Sequence, residues 1–102
     1  MTLEIIYSPQ AIRGMNEIAD YLAQQSPGLG LRFLRAVEEA SANLAAMPEM
    51  AGQYESDDPR LADQRVWPLR EFPNLLVFYR INERLLEVVH VVYCGRDLKH
   101  LL

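Results

Sequence analysis

The spacing of hydrophobic residues changes from helical to strand-like in the second half of this chain, and that change limits the folds it can adopt. Between Ile12 and Met47, apolar residues recur every three or four positions, which is the spacing of amphipathic helices. From about Gln64 onward they form alternating or continuous runs, which predict strands. A short alternating run over residues 2–7 predicts one further strand before the helices. The predicted order is therefore β-α-α-β-β-β.

Proline residues mark the expected ends of the two helices. Ser8-Pro9 and Ser26-Pro27 each join a helix-capping residue to a proline, which is well tolerated in the first helical turn. We therefore expect one helix from Ser8-Pro9 to about Gln25. We expect a second helix that begins at Ser26-Pro27 and ends at Met47-Pro48. The residue before a proline disfavours helical angles, so the second helix cannot continue there. Two helices joined by so short a connection form an antiparallel hairpin.

The remaining chain predicts a long loop and a small sheet. Residues 48–62 lack periodicity and are long enough for a mobile or functional loop. Strands are expected at 65–69, 75–81 and 85–93. The predicted fold is α+β, with the helical hairpin packed on one face of a small, mainly antiparallel sheet. A chain of 102 residues has room for one hydrophobic core, so we expect a single domain over residues 1–102.

The third and fourth strands are apolar on both sides. Leu75 and Val77 point to one face of the sheet, while Leu76 and Phe78 point to the other. On the fourth strand, strict alternation assigns the valines to opposite faces in two pairs, Val89 with Val91 and Val88 with Val92. Two helices cover one face, and an uncovered apolar face usually marks an interaction surface. Either the long loop covers that face or another protein chain does, and we expect a partner or a second copy.

Composition excludes several classes of protein. No apolar run approaches the roughly 20 residues of a membrane helix, and the first residues do not resemble a secretion signal. The net charge of −4 and the pI near 5.1 argue against a broad phosphate-binding surface, so we expect no direct nucleic-acid binding. Cys94 is the single cysteine, which is typical of a reducing compartment. We expect a bacterial-type protein of the cytoplasm.

Few residues are of the types that bind metal ions or take part in catalysis. His90 and Cys94 would lie about 13 Å apart along an extended strand, too far to share one ion, so we expect no metal and no cofactor. The notable polar residues are mostly arginines: Arg65, Arg70, Arg80, Tyr93, Arg96 and Asp97. Together they could hold an RNA phosphate and assist its cleavage. Taken singly, each arginine is better explained by an ordinary ion pair with a neighbouring carboxylate.

A series of short motifs along the chain resembles the RelE/ParE toxin superfamily, and ParE toxins in particular. In chain order, the motifs are Ser8-Pro9, Glu17-Ile18-Ala19-Asp20-Tyr21-Leu22, Pro27, Gly30, Phe33, Leu44, Pro48, Gly52, the run 75–80 and the terminal run 91–97. The resemblance covers essentially the whole chain. In this family the last strand usually reads Val-Leu-His-Gly-x-Arg-Asp, and Tyr93 stands here where that histidine would be.

The superfamily divides by mechanism. RelE-like members cleave messenger RNA on the ribosome with basic residues on the central strands. By the resemblance, Val66 and Pro68 occupy two of those basic positions, and a leucine at 75 or 76 occupies a third. One such charge-stabilising donor is commonly worth about 2.7–4 kcal/mol, so their loss disfavours a nuclease. The alternative that remains is a nuclease that uses the residues Arg65, Arg70, Arg96 and Tyr93.

ParE-like members are not known as enzymes in their own right. The resemblance implies a bacterial toxin that inhibits DNA gyrase and is neutralised by a small ParD-like antitoxin in a type II toxin–antitoxin pair. The family's antitoxin lies along the helical hairpin and the sheet, so we expect contacts at Ile12, Met15, Leu22, Phe33, Val37 and Leu44. We expect target contacts at Arg80, Tyr93, Arg96 and Asp97. A third hypothesis is a homologue that has lost toxicity and only pairs with its antitoxin.

Overall fold

Two helices pack on a four-stranded sheet in the order that the sequence predicts. The structure is a computed structural model, and it describes residues 2–51, 59 and 63–93. Its elements are β1 (Glu4–Tyr7), α1 (Pro9–Gln25), α2 (Leu29–Ala46), β2 (Arg65–Pro68), β3 (Leu75–Asn82) and β4 (Leu85–Tyr93). The α+β class and the β-α-α-β-β-β order are therefore confirmed.

The sheet is mixed, with strand order β1-β4-β3-β2. β2 pairs antiparallel with β3, and β3 pairs antiparallel with β4. β1 pairs in parallel with the first part of β4, from Leu85 to Val88. The second part of β4 extends past the end of β1, and α1 packs against β4.

Ser8 and Ser26 both stand before a proline, but they act at different ends of a helix. The Ala11 amide donates to Ser8 Oγ at 3.0 Å, so Ser8 caps the N-terminus of α1 as predicted. The Ser26 amide instead donates to the Leu22 carbonyl at 3.0 Å, so Ser26 closes α1. α2 begins at Leu29 after the N-cap Gly28, so its predicted start at Ser26-Pro27 is wrong by two to three residues.

Two glycines allow the helices to approach their neighbours closely. A Cβ atom at Gly30 of α2 would lie 2.5 Å from the Ala19 carbonyl oxygen of α1. A Cβ atom at Gly14 of α1 would lie 2.8 Å from the Val91 carbonyl oxygen of β4. Side chains do not tolerate such contacts with a backbone atom, so these glycines set the positions of α1 against α2 and β4.

The hydrophobic core lies between α2 and the sheet. Phe33 is completely buried and makes an edge-to-face contact with Phe72, with ring centroids 6.1 Å apart. The other fully buried core residues of the helix and strands include Val37, Leu44, Val77, Tyr79, Leu86 and Val88. The apolar face that helical spacing predicts on α2 is therefore the face that packs on the sheet.

A β-bulge interrupts the pairing of β3 with β4. Tyr79 pairs with Val88, and the preceding Phe78 pairs with His90, which leaves Val89 as one extra residue in β4. Ser8 Oγ donates to the Val89 carbonyl at 2.6 Å, so the residue that caps α1 also binds the bulge.

The bulge changes which valines share a face. Val88 pairs with Tyr79 and Val91 pairs with Val77, so these two valines lie on the side of the sheet that faces the helices. The prediction that Val89 and Val91 lie on the same face of the sheet is wrong, because one extra residue reverses the alternation after the bulge.

The face of the sheet away from the helices is apolar at one end and charged at the other. Leu76 and Val92 are half-buried there, whereas Arg80 pairs in register with Glu87. Phe78 points to this face and is only 1% exposed. The predicted two-sided apolar character of β3 is confirmed, but the expectation that this face lies open is wrong at Phe78.

Candidate functional site

Three of the six predicted partner contacts are part of the domain's own core. The side chains of Phe33, Val37 and Leu44 are completely buried. They are therefore unavailable to a partner that docks on this fold, and their assignment as partner contacts is corrected. Helical spacing identifies an apolar face, but it does not tell whether that face meets the chain's own sheet or another protein.

The other three predicted contacts lie on α1. Ile12 is 50% exposed, whereas Met15 and Leu22 are half-buried and pack against the core. Ile12 and Ala19 are seven residues apart and so lie on the same side of α1, and Ala19 meets Gly30 of α2. Ile12 is therefore an exposed apolar residue beside the seam between the two helices.

Several large apolar residues that the sequence pattern does not predict at the surface are exposed. They are Ile6, Tyr21, Leu31, Met47 and Met50. Tyr21 is nine residues from Ile12, about half a turn out of phase, so it lies on the opposite side of α1. Repeated apolar positions mark the face that packs inside, whereas isolated apolar residues on the outer faces give no periodic signal.

An open cleft of about 310 Å³ lies between α1 and the second part of β4. Its lining comprises Gln10, Arg13, Gly14, Glu17 and Ile18 of α1 with residues 90–93 of β4. Tyr93, one of the predicted target contacts, is 50% exposed and lines this cleft. The cleft carries one guanidinium and one carboxylate on its helical wall, so it has no strong preference for either sign of charge.

The two predicted target contacts that the structure describes, Arg80 and Tyr93, lie far apart. Tyr93 pairs with Leu75 at one end of β3, and Arg80 lies five residues further along that strand, about 17 Å away. Arg80 and Tyr93 also point to opposite faces of the sheet. The other two predicted contacts, Arg96 and Asp97, lie outside the described residues.

Arg80 is neutralised by two carboxylates. Its Nη1 lies 3.3 Å from Asp63 Oδ2, and its Nε lies 3.1 Å from Glu87 Oε1. The Nε contact is an ion pair that is not aligned as a hydrogen bond. A guanidinium held between two carboxylates is poorly suited to bind a phosphate, because an incoming anion would meet net negative charge.

Arg65 is directed to the chain's own backbone. Its Nη1 donates to the Ala51 carbonyl at 2.8 Å, on the side of the sheet that faces the helices. Arg70 of the same predicted nuclease set is exposed and lies beyond the end of β2, and Arg96 lies outside the described residues. The described arginines therefore do not converge on one phosphate position.

Tyr79 is a buried phenol beside Arg65. Its hydroxyl donates to the Pro48 carbonyl at 3.0 Å. Burial raises the pKa of Tyr79 above its usual value of 10.0, while Arg65 and a backbone hydrogen bond with Ala51 act to lower it. The phenol therefore stays protonated and able to donate throughout the neutral pH range.

Among the described residues, no group of three His, Cys, Asp or Glu side chains could hold a metal ion. Within the same part of the chain, no helix is long and apolar enough to cross a membrane.

Two solved structures share this fold. The first is the chromosomal ParDE TA system from P. aeruginosa: a chain of it is 13% identical, with a TM-score of 0.73, and the match covers 90% of this chain and 96% of that chain. The second is the toxin–antitoxin complex RelBE2 from Mycobacterium tuberculosis, at 14% identity and a TM-score of 0.64, with 91% and 99% covered. The fold is thus one that chains of toxin–antitoxin systems adopt.

The sequence assigns the chain within this class. The family model described as ParE toxin of type II toxin–antitoxin system, parDE, matches residues 5–98. The chain belongs to this ParE toxin family. Among curated protein sequences, none matches the chain significantly.

Proposed function

We propose that this protein is a toxin that binds and inhibits DNA gyrase in the cytoplasm, and that a ParD-like antitoxin neutralises it. The observation that carries the proposal is the match of the ParE toxin family to residues 5–98, nearly the whole chain. The likeness in fold to a ParDE system supports the same assignment. On this proposal the protein acts by binding and is not an enzyme.

The placement of the arginines supports binding over catalysis. A ribonuclease needs cations that converge on the phosphate whose charge develops during cleavage. Here Arg65 donates to a backbone carbonyl and Arg80 lies between two carboxylates. A RelE-like nuclease is therefore the weaker candidate, although a chain of the RelBE2 complex has a similar fold.

We place the antitoxin on the outer surface of the helical hairpin. Ile12 supplies half-exposed apolar surface beside the seam of the two helices, and Leu31 of α2 is 54% exposed. An amphipathic segment of the antitoxin would bury such side chains, and that burial would offset the entropy lost when the segment becomes ordered. The buried α2 residues contribute by fixing the shape of the hairpin.

Expression of the chain without an antitoxin tests the proposal. We expect growth arrest with filamentous cells and a DNA-damage response, and we expect co-expression of the antitoxin to restore growth. Rapid arrest of translation with cleaved transcripts would instead support the RelE-like nuclease. Unchanged growth with a folded, soluble product would support the homologue that only pairs with its antitoxin.

A further inference from the structure

A tight turn follows α2, and its apolar side chains point outward. The Met50 amide donates to the Met47 carbonyl at 3.0 Å. Met47 is 63% exposed and Met50 is 39% exposed, whereas Ala51 is only 3% exposed. The turn thus presents two large flexible side chains to solvent and directs a small one into the core.

Two side chains of the sheet hold this turn from beneath. Tyr79 donates to the Pro48 carbonyl at 3.0 Å, and Arg65 donates to the Ala51 carbonyl at 2.8 Å. Arg65 and Tyr79 stand opposite each other in the pairing of β2 with β3. The two accepting carbonyls are three residues apart, so one donor holds each end of the turn.

We propose that Arg65 and Tyr79 form a clamp that fixes the turn at residues 47–51 and so holds Met47 and Met50 at the surface. The chain leaves α2 at Ala46, where carbonyl groups lose their helical partners and need other donors. A buried phenol and a half-buried guanidinium in turn need acceptors. Each group satisfies the other, and the result is a rigid presentation of the two methionines where an unanchored loop would be mobile.

This role differs from the one that a nuclease would require of Arg65. A side chain that acts through the backbone of residues 48–51 is a positioning residue, and its removal loosens the turn locally. The inference does not depend on the proposed inhibition of gyrase, because it concerns contacts within one chain.

Amide hydrogen exchange measured by NMR tests the clamp. We expect Arg65→Met and Tyr79→Phe each to accelerate exchange of the Met50 amide by about tenfold, which is the protection that one hydrogen bond typically provides. The exchange rates of the amides in the β3–β4 pairs should not change. Arg70→Met is the matched control, because it removes an exposed arginine just beyond β2, and we expect no acceleration in it. Tyr79→Phe removes a single oxygen atom and keeps the ring in the core, so it serves if Arg65→Met does not fold.

Two results would overturn the inference. The first is an unchanged Met50 exchange rate in folded Tyr79→Phe or Arg65→Met. The second is an equal acceleration at Met50 and throughout the β3–β4 pairs, because that pattern reports general destabilisation and not release of one turn.

Discussion

The hydroxyl of Ser8 donates to the carbonyl of Val89 at 2.6 Å and also accepts the amide of Ala11 at 3.0 Å. One oxygen atom therefore caps α1 and binds the bulge of β4. The contact joins residues 81 positions apart in the sequence. It fixes the start of α1 at the point where β4 extends past β1, which is also where the cleft opens.

Ser8→Ala tests the energetic importance of this contact. We expect the free energy of unfolding to fall by about 1–2 kcal/mol, because the helix loses its cap and the Val89 carbonyl loses a donor. Ser26→Ala is the matched control, since Ser26 closes α1 through its backbone amide, and we expect a change below about 0.5 kcal/mol. Urea denaturation measures both, and equal losses would contradict a special role for Ser8.

The close approaches at Gly14 and Gly30 predict a graded glycine series. Gly14→Ala and Gly30→Ala each place a methyl group within 3 Å of a backbone oxygen, so we expect a loss of about 1–3 kcal/mol. At Gly28 no described atom lies within 4 Å of an added Cβ and φ is −86°, so Gly28→Ala should be neutral or slightly stabilising. Thermal unfolding of the three variants measures the order, and a loss at Gly28 as large as at the others would contradict it.

Because Tyr79 is buried, we expect the protein to lose stability at alkaline pH. Its pKa is raised in the folded state, chiefly by burial, so the folded protein binds the proton more tightly than the unfolded chain. The stabilising contribution is complete below pH 10 and is lost as pH rises through the raised pKa. Tyr79→Phe removes this contribution, so its free energy of unfolding should fall less steeply between pH 9 and 11, by urea titration, than that of the wild type. Identical slopes would contradict the prediction.

The outer surface of the hairpin predicts which substitutions weaken antitoxin binding. We expect Ile12→Asp to weaken binding by at least about tenfold, because a charge would replace a large apolar side chain beside the helix seam. Tyr21→Asp is the matched control, since Tyr21 is 62% exposed but lies on the opposite side of α1. Isothermal titration with the antitoxin, with circular dichroism to verify folding, separates the two. Unchanged affinity in folded Ile12→Asp would place the antitoxin elsewhere.

Much of the fold could be predicted because its signals are local. Ser8-Pro9 lies beside the helix it starts, and the antiparallel strands end at short turns. The predicted start of α2 was wrong because the Ser26 amide donates to the Leu22 carbonyl and so ends α1. The Ser-Pro motif alone does not show whether the serine begins one helix or ends another. The bulge at Val89 was missed because it depends on pairing between strands and on Ser8, far away in the sequence.

The candidate site was harder to predict than the fold. Periodicity selected Phe33, Val37 and Leu44 correctly as one apolar face, but that face packs on the chain's own sheet. The roles of Arg65 and Arg80 depend on which backbone carbonyl or carboxylate the folded chain brings near them. The spacing of residues along the sequence does not reveal these long-range contacts.

A titration of purified DNA gyrase with the purified chain separates gyrase inhibition from RNA cleavage. We expect supercoiling activity to fall in proportion to the ratio of toxin to gyrase and to reach its limit near saturation of the enzyme, with added RNA left intact. One equivalent of antitoxin should restore the activity. Full gyrase activity in a large excess of folded, antitoxin-binding toxin, together with cleavage of ribosome-bound messenger RNA at catalytic amounts, would contradict the proposal.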